Sequence, residues 1–203
     1  VAERKHPKSA TRLIACDVFR PPLEHLKVEA KYPHLHLTFL PSNLHLRSDE
    51  LKKHLSAELI TANRSNEQPL CLYGSCFPDI DEIIERLGGV RVPGFHCFEM
   101  LLGHERYEGM IDEMAGTYFL ERELILSFEN YCLEPLQLHD PVMRESFFRN
   151  YERVVYIRQP TDPDLFTMAG EIAAFLRLPL EVEDADYRYL EKQLMELLIR
   201  SSH

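Results

Sequence analysis

Short apolar runs, each followed by a segment of helical period, recur along the whole chain, and this alternation constrains the fold more than any single motif does. Apolar runs at 12–16, 35–40, 69–73 and 90–92 read as strands. Later ones at 153–157 and 180–182 read the same way. Between them lie helical segments with recognisable starts. Ser48 stands as an N-cap before Asp49 and Glu50, with Leu51, Leu55, Leu59 and Ile60 as the apolar stripe. Asp79 with Glu82 has the spacing of a capping box, and Gly88-Gly89 stops that helix. Residues 97–102 follow Pro93-Gly94 as a helix. Asp140-Pro141 and Asp162-Pro163 each open a helix with proline in the first turn, and 186–199 forms a C-terminal helix. Residues 116–120 read as a strand or as the opening of a loop, and 121–132 has helical period. Strand–helix alternation predicts an α/β fold, a single-domain Rossmann-like three-layer sandwich with a mostly parallel sheet. Residues 1–11 are assigned to an N-terminal tail and 12–203 to the single α/β domain.

Composition narrows the partners. The chain carries 23 Lys and Arg against 33 Asp and Glu, a formal net charge of −10. That balance offers no basic face for phosphates, so nucleic acid is excluded as the expected partner. It favours a partner surface that is basic or neutral. No apolar run approaches the ~18 residues that span a bilayer, and residues 1–11 show no apolar signal core. A cytoplasmic protein with no membrane association is the expectation. The apolar stripe Leu190, Leu194, Leu197 and Leu198 suits packing on the sheet or on a second subunit, and core packing is the preferred reading.

Five cysteines remain to be explained. Cys71, inside a strand, and Cys132, on a helical stretch, read as small buried hydrophobes. Cys16 ends the first predicted strand, Cys76 lies just past the third and Cys97 follows the fourth, each before a helical or turn segment where exposed backbone N–H groups favour a thiolate. His45 lies in the loop after the second strand. These four would converge on one sheet edge as a Cys3His set suited to zinc, with a [4Fe–4S] cluster as the alternative. His45 reads equally as a loop histidine bonded to neighbouring backbone. His34 and His36 alternate along a strand and read as a solvated edge. His96 and Glu99 flank Cys97 without a distinguishing partner. Neither a dinucleotide-binding glycine pattern nor a P-loop occurs, and Ser75 lacks the setting of a hydrolase nucleophile.

The segments Leu13-Ile-Ala-Cys16, Leu40-Pro-Ser-Asn-Leu-His45, Leu72-Tyr-Gly-Ser-Cys76, Cys97-Phe-Glu-Met-Leu-Leu-Gly103 and Gly116-Thr-Tyr-Phe-Leu120 occur in that order, followed by Tyr189-Leu190. Together they resemble the domain family catalogued as DUF family 1638, found in bacteria and archaea, over about residues 12–198. The resemblance carries over Cys16, His45, Cys76 and Cys97, with Gly74, Gly103 and Gly116, as positions of the family's pattern; the first four are the expected metal ligands, and Gly74, Gly103 and Tyr118 the expected cofactor-binding positions. It further implies a link to corrinoid-dependent methyl transfer, in which a metal-bound thiol accepts the methyl group. The alternatives are a [4Fe–4S] protein of electron transfer or cofactor maturation, and a non-catalytic module that binds a corrinoid protein or a small molecule. Two departures stand out. The family's pattern has Asp where this chain has His96, and Gly-Trp after the Gly-Thr-Tyr segment where this chain has Glu121-Arg-Glu123.

Overall fold

The computed structural model describes residues 10–201. Most of the expected tail, residues 1–9, lies outside the described residues, and Ala10 already opens the first strand. The chain divides into two compact units: one holds the residues up to His96 and those from Glu191 onward, the other Cys97–Leu190.

The first unit contains β1 (Ala10–Cys16), α1 (Arg20–His25), α2 (Val28–Lys31), β2 (Leu35–Leu40), α3 (Ser48–Arg64), β3 (Glu67–Leu72), α4 (Ile80–Arg86) and β4 (Val90–Arg91). Its sheet runs β2-β1-β3-β4 with every pairing parallel. The second unit contains α5 (Cys97–Leu102), α6 (His104–Glu113), β5 (Thr117–Leu120), α7 (Arg122–Leu126), a π-helical turn (Glu129–Leu133), α8 (Pro141–Phe148), β6 (Arg153–Arg158), α9 (Phe166–Leu176) and β7 (Leu180–Asp184). Its sheet runs β5-β6-β7, again parallel. The helix α10 (Arg188–Ser201) starts in the second unit and ends in the first. The fold is α/β and Rossmann-like, with parallel sheets flanked by helices. The sequence reading assigns all strands to one sheet, whereas two form. Alternation dictates parallel crossovers but leaves open which strands share a ladder.

Central strands are buried on both faces, as parallel sheets require. Leu13, Ile14 and Ala15 of β1 and Leu70, Cys71 and Leu72 of β3 are all fully buried. The edge strand β2 leaves His36 exposed, with His34 exposed just before it, the solvated edge expected from their alternation. On α3 the buried stripe is Leu51, Leu55, Leu59 and Ala62, while Ile60 faces outward. Ser48 is the first residue of that helix and Arg47 occupies the cap. The Asp79 capping box does not close: the carboxylate is held by Lys52 and bonds no backbone N–H of α4. Asp140 does cap α8, accepting from the Val142 N–H at 2.8 Å. The helix expected at Asp162-Pro163 begins only at Phe166, because Asp162 turns back to accept from the Gln159 N–H and the Tyr156 hydroxyl. Each unit has its own apolar core. Leu51, Leu55 and Leu59 pack with Ile80 and Ile83 in the first, and Val154, Tyr156, Ile172 and Ala173 pack together in the second.

Candidate functional site

β1 pairs with β2 on one side and β3 on the other, so the direction of winding reverses at β1. Right-handed crossovers then lie on opposite faces of the sheet, and in open parallel sheets it is past the C-terminal strand ends at such a reversal, here β1 and β3, that ligands usually bind. The second sheet keeps sequence order and has no reversal. Sheet topology therefore points to one edge of the first unit.

Two cysteines stand at that edge. Cys16 is the last residue of β1. Ala15 pairs with Leu72, so Cys16 lies level with Tyr73, the first residue past β3. Alternation puts both on the face of Ile14 and Cys71. Cys76 follows three residues later, its N–H donating to the Gly74 carbonyl at 2.9 Å. Both thiols are half-buried and pack against the apolar cluster that includes Tyr73 and Leu51.

Tyr73 is the unusual member. Its side chain is 1% exposed, and its buried hydroxyl has no hydrogen-bond partner among the described residues. Burial pushes the phenol far above its ordinary range, and Cys16, Cys76, Cys71 and Asp17 add to the push in that order. The hydroxyl is therefore a neutral donor at physiological pH. Burial also pushes the Cys76 thiol up, against opposing pulls from the Arg91 guanidinium and the Gly74 backbone. Such a thiol stays protonated until a cation displaces the proton.

Arg91 on β4 holds the Cys76 loop in place. Its Nη1 donates to the carbonyls of Tyr73 and Gly94, both at 2.8 Å, and Nε and Nη2 fork onto Asp81 at 2.7 and 3.0 Å. Gly74 permits the closest approach: a Cβ there would stand 2.7 Å from the Phe95 carbonyl oxygen. His45 is exposed in a 3-10 turn (Ser42–Leu46), and its Nδ1–H donates to the Ser42 carbonyl at 2.6 Å. A carbonyl can only accept, so this bond fixes the tautomer that leaves the lone pair on Nε2. It is also the local backbone bond that the alternative reading of His45 expects. Among the described residues, no three His, Cys, Asp or Glu side chains gather in a group that could hold a metal ion.

The family model described as "Protein of unknown function (DUF1638)" matches residues 39–194 of the 203. The chain belongs to the DUF1638 family. The DUF1638 match takes in His45, Cys76 and Cys97 and begins after Cys16. No curated protein and no solved structure matches the chain.

Within the DUF1638 region, the remaining expected site residues fall in the second unit. Cys97 is the first residue of α5 and belongs to the second unit, whereas Cys16, His45 and Cys76 belong to the first. Glu99, two residues on, is 4% exposed and accepts from His104 Nδ1 at 2.8 Å. Gly103 adopts φ +94°, a left-handed conformation that favours glycine, and it faces the Tyr189 ring. Tyr118 packs edge-on against Phe148 and Tyr151, its hydroxyl 3.3 Å from Cys132 Sγ, within the aromatic core. Neither Tyr73 nor Arg91 stands out as a site residue in the sequence. A tyrosine between a strand and a glycine is a weak signal, and nothing local announces that Arg91 reaches two carbonyls.

Proposed function

We propose that the first unit binds a thiophilic metal ion, zinc foremost, in an open site at the C-terminal edge of its sheet, with Cys16 and Cys76 as protein donors. One observation carries the reading: both thiols stand at the C-terminal strand ends at the strand-order reversal, beside a buried Tyr73 hydroxyl that lacks a partner among the described residues. A buried donor of this kind forfeits about 1–3 kcal/mol while unpaired, which a bound species carrying an acceptor would recover. Two strand-end thiols suit a single ion better than a cubane cluster, which takes three or four. Positions left open would accept a substrate thiol, and a zinc ion there would lower that thiol's pKa, the activation that methyl transfer from a corrinoid to a thiol needs.

A second reading, a small-molecule site without metal, draws on the lack, among the described residues, of a three-donor group. Competition with a chromophoric zinc chelator separates the two. The metal reading expects one tight equivalent of zinc, weakened at least tenfold by Cys16→Ser and by Cys76→Ser separately. Equal zinc affinity in the wild type and both folded variants would remove it and leave the metal-free reading. Among the described residues, no helix is long and apolar enough to cross a membrane.

A further inference from the structure

The chain's negative charge is not shared evenly between its units. The second unit, Cys97–Leu190, holds nineteen Asp and Glu against eight Arg and no Lys, a formal net charge of −11, while the whole chain carries −10. Several of these carboxylates are paired: Glu113 and Glu181 with Arg153, Asp184 with Arg158, and Asp186 with Arg188. Glu129, on the π-helical turn, and Glu171, on α9, are exposed and make no ion pair among the described residues.

These two carboxylates rim an open apolar groove of about 320 Å³. On α9, Met168, Glu171 and Phe175 fall at i, i+3 and i+7, so they share one face. The opposite wall comes from Leu126 of α7 and Leu133 of the π-helical turn. Glu121, 6% exposed, accepts from the Glu123 and Leu124 N–H groups at 2.8 Å each and so caps the start of α7. Glu171 is the single charged residue among the eleven of α9. A helix that apolar ordinarily lies wholly inside. Here Met168 is 39% exposed, and Leu126 across the groove is 47% exposed. Arg144 stacks over the Phe175 ring at 4.3 Å, so that ring already holds a cation on its face.

We propose that this groove docks a basic amphipathic helix of a partner protein, its apolar stripe seated between Leu126 and Met168 and its Lys or Arg side chains facing Glu129 and Glu171. A groove walled by helical segments suits a helix with anchors at i, i+3, i+4 and i+7. Charge selects the occupant. At −11 the second unit repels a second copy of itself, an anionic membrane and nucleic acid, and attracts a cationic segment. No residue of this face belongs to the site around Cys16 and Cys76, so docking here does not depend on a metal there.

Fluorescence anisotropy of the full chain with a labelled helical peptide of Leu and Lys, about five turns long with leucines at that spacing, tests the surface. Saturable one-to-one binding is expected. Glu129→Gln with Glu171→Gln should weaken it roughly threefold to tenfold at low salt, and Leu126→Ser with Met168→Ser at least about tenfold. A Leu/Glu peptide of the same pattern should not bind. Glu105→Gln with Glu108→Gln removes the same charge from exposed positions of α6, outside the groove, and should leave the affinity nearly unchanged. No binding of the Leu/Lys peptide overturns the proposal, as does wild-type affinity in the Glu129, Glu171 variant. Equal weakening by the α6 pair would reduce the attraction to bulk charge and overturns it too. Light scattering supplies the last outcome: self-association that Leu126→Ser with Met168→Ser abolishes would assign the face to a second copy and overturn the partner helix.

Discussion

Gly74→Ala is the substitution that most sharply tests how the Cys76 loop is held. The new Cβ would stand 2.7 Å from the Phe95 carbonyl oxygen and 3.2 Å from His96 Cα, both backbone atoms. Ordinary contact begins near 3.4 Å, so the 94–96 loop would have to retreat by about 0.7 Å. It is not free to do so. Arg91 fixes the Gly94 carbonyl at 2.8 Å, and the Ser75 N–H donates to that same Phe95 oxygen at 2.8 Å. Retreat stretches the latter bond past 3.4 Å and breaks it. Overpacking costs about 1–3 kcal/mol and a lost hydrogen bond about 1 more. The smaller unfolded-state entropy of alanine returns about 0.4–1 kcal/mol. The net is about 2 kcal/mol of destabilisation, a melting temperature lower by about 4–8 °C for a chain of this size. Thermal melts followed by circular dichroism measure it directly. Gly109→Ala on α6, where an added Cβ meets nothing within 4 Å, is the control and should gain about 0.5–1 kcal/mol. A Gly74→Ala protein that melts at or above the wild-type temperature would refute the packing argument.

Tyr73→Phe removes a buried hydroxyl that bonds nothing among the described residues, so the ligand-free protein should gain about 1 kcal/mol by urea denaturation while its zinc affinity falls; a loss of stability would mean the hydroxyl has a partner. Glu121→Gln should flatten the pH dependence of stability. Glu121 sits near 7 in the fold against 4.5 unfolded, so the wild type gives up about 3 kcal/mol as pH rises from 4.5 past 7. Urea midpoints at pH 5 and pH 8 check this, and parallel slopes for wild type and variant would contradict it.

How much of this was legible in the sequence follows from what each feature depends on. The strand at 35–40, the strand ends at Cys16 and near Cys76, and the Asp140 cap depend on local pattern, and the structure places them as read. The site's centre depends on strand pairing, which local pattern does not contain. Tyr73 becomes notable only because β1 and β3 are neighbours, which brings Cys16 level with it. Arg91 matters because a two-residue strand delivers its guanidinium under the Tyr73 and Gly94 carbonyls. The division between His96 and Cys97 left no trace either, since no Gly/Ser-rich linker marks it. Glu121 could have been read: an acid between an apolar strand and a helical period, with polar residues after it, is a cap signal. The Asp79 box shows the opposite error, a correct spacing whose side chain is taken by Lys52.

The central claim is that Cys16 and Cys76 hold a metal ion in the first unit. Elemental analysis of the full chain purified without oxygen or added chelator tests it most directly. About one zinc per chain is expected, falling to background in the double variant Cys16→Ser, Cys76→Ser while far-UV circular dichroism stays unchanged. Wild-type protein without stoichiometric metal, and with no uptake on adding zinc, would contradict the claim.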